Sequence, residues 1–143
     1  MENMYPFLQK FHSGWAYLVL LLLVVTVVVS IVGFVSKSKF TANKRKLALF
    51  TLIFSHIQLL VGLVLWVVSP RGKAALSQTS DAALRLTALE HPVTNIIAIV
   101  LITIGWSRHK KMSDARAIFK NFSVFYGLGL LLILSKIPWS LWF

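Results

Sequence analysis

The sequence predicts an all-α protein: a four-helix transmembrane bundle with both termini on the outer, extracytoplasmic side. Three observations carry this expectation. Of the 143 residues, 57% are hydrophobic and only 13% charged, with a mean hydropathy of +0.78. A soluble domain of this size could not hide that much apolar surface. The apolar residues fall into four runs, Phe7–Ser36, Leu47–Ser69, Leu86–Ser107 and Phe122–Phe143, each long enough to cross a hydrocarbon layer of ~30 Å.

The third observation is where the charge lies. Lys37, Lys39, Lys44, Arg45 and Lys46 fill the first connection. Arg108, Lys110, Lys111, Arg116 and Lys120 fill the third, against one acid, Asp114. The second balances Arg71, Lys73 and Arg85 against Asp81 and Glu90. Excess Lys and Arg marks cytoplasmic loops, so connections one and three are expected on the cytoplasmic side. The formal charge of +11 then implies anionic lipid at those loops, not nucleic acid.

The expected unit is one membrane domain, residues 1–143, with helices over about 6–36, 47–69, 81–107 and 121–142. Pro6 suits the first turn of helix one. Glu2 and Lys10 stand where a signal peptide has a basic cluster, the apolar run is too long, and no A-x-A site follows, so the helix is expected to be retained. At ~100° per residue, His12 shares a face with Val19, Leu23, Thr26, Ser30 and Gly33, a small and polar stripe that suits helix packing.

On helix two, Thr51, Ser55, Gln58, Gly62 and Ser69 form a similar stripe, and His56 lies ~140° from Thr51. Such a histidine should not meet lipid, so helix two is expected to be enclosed on two sides. Ser80-Asp81 suits the start of helix three, and Pro92 should kink it. Thr87, His91, Thr94, Asn95, Ala98 and Gly105 share its inward face, with Glu90 turned ~100° aside. In helix four, Lys136 lies near the outer end before Pro138, and Gly129 shares its side. Trp15, Trp66, Trp139 and Trp142 at one interface and Trp106 at the other make an aromatic belt.

The candidate site grows from the stretch Arg85–Trp106, RLTALEHPVTNIIAIVLITIGW. Its uninterrupted apolar part, Val93–Trp106, is shorter than the ~20 residues a span needs. The helix must therefore start earlier and carry Glu90, His91 and Pro92 into the membrane, ~8 Å below the interface at ~1.5 Å per residue. Ionisable groups at that depth are functional by default. His12, Glu90, His91 and Lys136 fall in the same outer third, with His56 about 10 Å deeper. His109, among Arg108, Lys110 and Lys111, is expected to be a solvated loop residue.

Two inward imidazoles facing each other across a bundle are a standard way to hold b-type haem. His12 and His91 are the expected axial pair, with His56 below the ring edge, lining the pocket or touching quinone. Lys136 or Arg85 could meet the propionates. Two other chemistries stay open. His12, His91 and Glu90 could ligate zinc or copper, or each histidine could simply bond to a neighbouring hydroxyl or carbonyl. Glu90 and Lys136, at similar depth, are expected to form a buried ion pair. Cysteine is absent, which excludes disulfides, zinc–thiolate sites and Cys-ligated iron–sulfur clusters. The chain carries no Walker loop, catalytic triad or glycine-rich phosphate fingerprint.

FHSGW in helix one, SHIQLLVGLVLW in helix two, RLTALEHP entering helix three and SKIPW near the end resemble, in that order, a family of small bacterial four-helix membrane proteins labelled cytochrome-b-like. The resemblance covers nearly the whole chain and places His12, His56, Glu90, His91 and Lys136 at its motif positions. It implies a haem-associated one-electron carrier, exchanging electrons with quinone or with redox-partner membrane subunits. The alternative function is a cofactor-free scaffold or accessory subunit, or a proton-coupled path, built on Glu90, Lys136 and the histidines.

Overall fold

The computed structural model describes residues 4–142, and all regular structure among them is helical. Four long helices, α1 (Met4–Ser36), α2 (Ala42–Val68), α3 (Ala82–His109) and α4 (Ala115–Ser135), are each long and apolar enough to cross a membrane. A 3₁₀ turn, Lys73–Gln78, sits in the second connection, and a single helical turn, Trp139–Trp142, follows α4.

Caps set the boundaries, and they move several of the expected ones. Helix one is already helical at Met4, the first described residue, ahead of the expected start at Pro6. Its far end is a Schellman closure: Lys37 takes a left-handed φ of 54° and the Ser38 N–H reaches the Gly33 carbonyl at 3.1 Å. Helix two begins five residues earlier than its apolar run because Thr41 caps it, accepting from the Lys44 N–H at 3.4 Å. Asp81 caps α3 through the N–H groups of Ala83 and Leu84 and Asp114 caps α4 through that of Ala117. The last helix therefore covers 115–135 rather than 121–142. Much of the expected basic loops is in fact the first turns of α2 and α4.

Pro92 reshapes α3 as anticipated, though as a π turn over Leu86–Glu90. Proline at 92 has no N–H to give the carbonyl of Ala88 four residues back, and its ring crowds that carbonyl. The ladder widens by one residue, and the His91 N–H bonds instead to the Leu86 carbonyl. The freed Ala88 carbonyl accepts from the Trp66 indole N–H at 2.8 Å. Trp15 likewise donates to the Phe54 carbonyl at 3.0 Å. Both tryptophans expected as interface anchors thus also tie helices together.

Helix α1 packs on α2 and α4, and α3 packs on α4 and α2. Helices α1 and α3 therefore stand on a diagonal. The expected stripe of α1 is the buried one: Val19, Leu23, Thr26, Ser30 and Gly33. Thr26 and Thr51 join α1 to α2 through their hydroxyls at 2.8 Å. Where α3 meets α4, a Cβ on Gly129 would stand 2.8 Å from Ile102 Cγ1 and 3.2 Å from the Ala98 carbonyl, so glycine permits the approach.

The dense core lies towards the basic end, around Trp106, Phe119, Phe122 and Tyr126. The Tyr126 hydroxyl donates to the Ala48 carbonyl at 2.9 Å. His109 belongs to this core, contrary to the sequence expectation: it is 4% exposed and packed among Phe40, Trp106 and Phe122. Helix α3 runs two residues further than its apolar pattern suggests, and Phe40 covers its last turn. The opposite half of the bundle is looser, and the cavity lies there.

A cavity between paired histidines

The cavity has a volume of about 210 Å³ and draws walls from all four long helices. His12 and His91 face it from the two diagonal helices, with ring centroids 6.2 Å apart and ring planes at 87°. Most of the remaining wall is aliphatic, from Leu20, Leu59, Leu63, Ile99, Ile133 and Ile137, with Gln58, Asn95 and three serines among them.

Each imidazole is held in a different way. His91 follows the π turn, and its Nδ1 lies 2.8 Å from the Lys136 carbonyl. A carbonyl can only accept, so Nδ1 carries the proton and Nε2 keeps its lone pair. The Asn95 amide nitrogen also comes within 3.2 Å of that Nδ1, donor against donor; its hydrogen bond is to the His91 carbonyl, at 2.6 Å. His12 is fixed through its backbone, whose carbonyl accepts from Gln58 Nε2 at 2.7 Å. Gly62 makes room for its ring, because a Cβ there would stand 2.9 Å from His12 Cε1.

Two polar atoms on this wall are buried without a partner, His12 Nδ1 and Gln58 Oε1. Buried polar atoms are rarely left so, and each exception needs a reason. A polar or metal-bearing guest is one. The fit can be tested by distance. Two imidazoles on opposite sides of one metal, with metal–nitrogen bonds of ~2 Å and about 1 Å from nitrogen to ring centre, have centroids ~6 Å apart. The 6.2 Å found here satisfies that condition. A hydrogen bond from the other ring nitrogen to a backbone carbonyl, as in His91, is the usual support of a metal-ligating histidine.

The other expected site residues divide. Glu90 does pair with Lys136, Oε2 to Nζ at 3.2 Å, and Arg85 Nε stands 3.8 Å from its second oxygen. The pair is not fully buried as anticipated, since the side chains of Lys136 and Glu90 are 39% and 30% exposed. Glu90 is thus turned to two cations and does not line the cavity with the histidines. No group of three or more His, Asp or Glu converges among the described residues, so the expected His12–His91–Glu90 set for bare zinc or copper does not assemble. Lys136 and Arg85 are committed to Glu90, and neither lines the cavity; Lys136 reaches the site through its carbonyl instead.

His56 is also absent from the cavity wall, which corrects its expected place below the ring edge. Its Nδ1 bonds to the Leu52 carbonyl at 2.8 Å and its Nε2 faces Thr103 of α3 at 3.4 Å. Helix two is enclosed on two sides, as its pattern suggested, but the second side is a helix contact. Arg71, to which the sequence pattern points for no role, is the one charged residue among the described residues on the cavity wall.

Fold and site define a four-helix membrane protein with a paired-imidazole cavity in one half of the bundle. The chain matches no protein-family model, no curated protein and no solved structure. The functional reading therefore stands on its own residues.

Proposed function

We propose that the protein is a membrane b-type cytochrome, holding one haem between His12 and His91 and carrying single electrons. One observation carries the reading: two inward imidazoles on diagonal helices, 6.2 Å apart by centroid, one of them oriented through Nδ1 by a backbone carbonyl. Bound there, haem would supply reversible one-electron chemistry. The chain's own part is to present two neutral nitrogens, to surround the macrocycle with aliphatic side chains that keep water away, and to fix the His91 ring. Gly62 accommodates the His12 ring, and the π turn at Leu86–Glu90 sets the height of His91.

The topology belongs to the same proposal. Ten cations and one acid gather at the end formed by connections one and three, which suits the cytoplasmic side of a bacterial inner membrane and its anionic lipids. The haem would then lie in the outer half, where a quinone or a redox-partner membrane subunit exchanges electrons with it. A second reading, a cofactor-free scaffold or accessory subunit, draws on the Arg85–Glu90–Lys136 cluster, which ties the start of α3 to the end of α4 without any guest.

The deciding experiment is purification from cells supplied with ample haem. A b-type cytochrome comes out red, with a Soret band and sharp reduced-state bands of a low-spin haem. In the ferric state, ring planes near 87° should give a strongly anisotropic low-spin resonance. A colourless protein supports the scaffold instead.

A further inference from the structure

The cavity is not uniform in charge. Among the described residues no Asp or Glu lines it, and the one charged residue on its wall, Arg71, stands in the short connection after α2. Arg71 has no acid of its own: both ion pairs among the described residues use Glu90, and their cations are Arg85 and Lys136. Arg71 is an exposed residue at the edge of an apolar cavity, and no carboxylate of the described residues pairs with it; an arginine so placed is suited to a carboxylate brought by the guest.

The backbone that carries Arg71 is held in place. Its N–H bonds to the Ser69 hydroxyl at 3.1 Å, and the next N–H, of Gly72, bonds to the Ser69 carbonyl at 3.2 Å. Ser69 is buried. A Cβ on Gly72 would fall 2.1 Å from the Trp66 carbonyl oxygen, so the turn is pressed onto the end of α2 as only glycine allows. Trp66 is in turn pinned to α3 through the Ala88 carbonyl that Pro92 sets free. The kink that places His91 thus also seats the turn that carries Arg71.

We infer that Arg71 holds the carboxylate end of the molecule bound in the His12–His91 cavity; for haem, that is a propionate. This rests on the haem reading above and replaces Lys136 and Arg85 in the role the sequence suggested for them.

The test compares haem with haem dimethyl ester, whose propionates are neutral. Each is titrated by absorbance into the full-length protein in neutral detergent, for wild type, Arg71→Gln, Arg71→Lys and Lys136→Gln. Arg71→Gln should weaken haem binding by roughly 5–10-fold, the loss of one charge-assisted contact at a partly solvated rim, and leave ester binding unchanged. Arg71→Lys should fall between, and Lys136→Gln should not discriminate haem from ester. Equal weakening of both ligands by Arg71→Gln, or no weakening of either, would overturn the assignment. If wild type binds haem through His12 and His91 but takes the ester just as tightly, the haem reading survives and the Arg71 role is lost. If wild type binds neither, the haem reading fails and the role of Arg71 falls with it.

Discussion

Trp66→Phe removes one N–H from a contact that the structure makes unusually exacting. The Ala88 carbonyl would ordinarily accept from the N–H of residue 92, but that residue is proline, and the Trp66 indole donates in its place at 2.8 Å. Ala88 is 2% exposed, so without the indole its carbonyl is left buried and unpaired, at a cost of ~1–3 kcal/mol. Pro92→Ala supplies the missing backbone N–H, and in that background Trp66→Phe should cost only its packing, about 0.5–1 kcal/mol by the usual scale of small core changes. The coupling between the two substitutions is therefore expected to be ~1–2 kcal/mol. Equilibrium unfolding in mixed micelles, on wild type, both single variants and the double variant, measures it. Costs that add to within ~0.5 kcal/mol would refute the idea that the indole replaces the amide lost at Pro92.

Glu90→Gln should cost more alone than in a Lys136→Met background, by about 0.5–1 kcal/mol, the scale of partly exposed pairs; absence of coupling in the double-mutant cycle would mean that the 3.2 Å contact contributes nothing. Gly62→Ala should keep the helical fold but displace the His12 ring, 2.9 Å from the new Cβ, whereas Gly14→Ala meets nothing within 4 Å. A haem spectrum altered by the second change and not the first would contradict the role given to Gly62. Reporters at both termini should be accessible from outside intact cells and one within Lys37–Lys46 should not; the reverse pattern would invert the proposed topology.

The four helices were legible because hydrophobicity alone writes them: the apolar runs exceed what a soluble core can absorb, and the small-residue stripe of α1 named its buried face. Their starts were less legible. Thr41 and Asp114 are ordinary N-cap residues, but the lysines and arginines after them read as loop, and local capping overrode composition. The pairing of His12 with His91 could be read from depth and facing, since both head polar stripes. The place of His56 could not be read that way. A ring off the main stripe can line a cavity or meet a neighbouring helix, and only packing chose Thr103. Depth in the membrane sets Lys136 beside Glu90, yet its carbonyl, not its ammonium, holds His91, and sequence patterns carry no sign of backbone acceptors made by tertiary approach. Arg71 is hidden for a related reason: its connection reads as a polar loop, and the seat of Gly72 on Trp66 that brings this turn to the edge of the cavity is a tertiary contact.

The most direct test of the central claim is the visible spectrum of the haem-loaded protein in three single variants, His12→Ala, His91→Ala and His56→Ala. If His12 and His91 are the axial pair, either of their variants loses the low-spin bands, while His56→Ala, which breaks only contacts with Leu52 and Thr103, retains them. Loss of the bands in His56→Ala with retention in His12→Ala would transfer ligation to His56 and His91. An unchanged spectrum in all three would remove histidine ligation, and with it the proposed function.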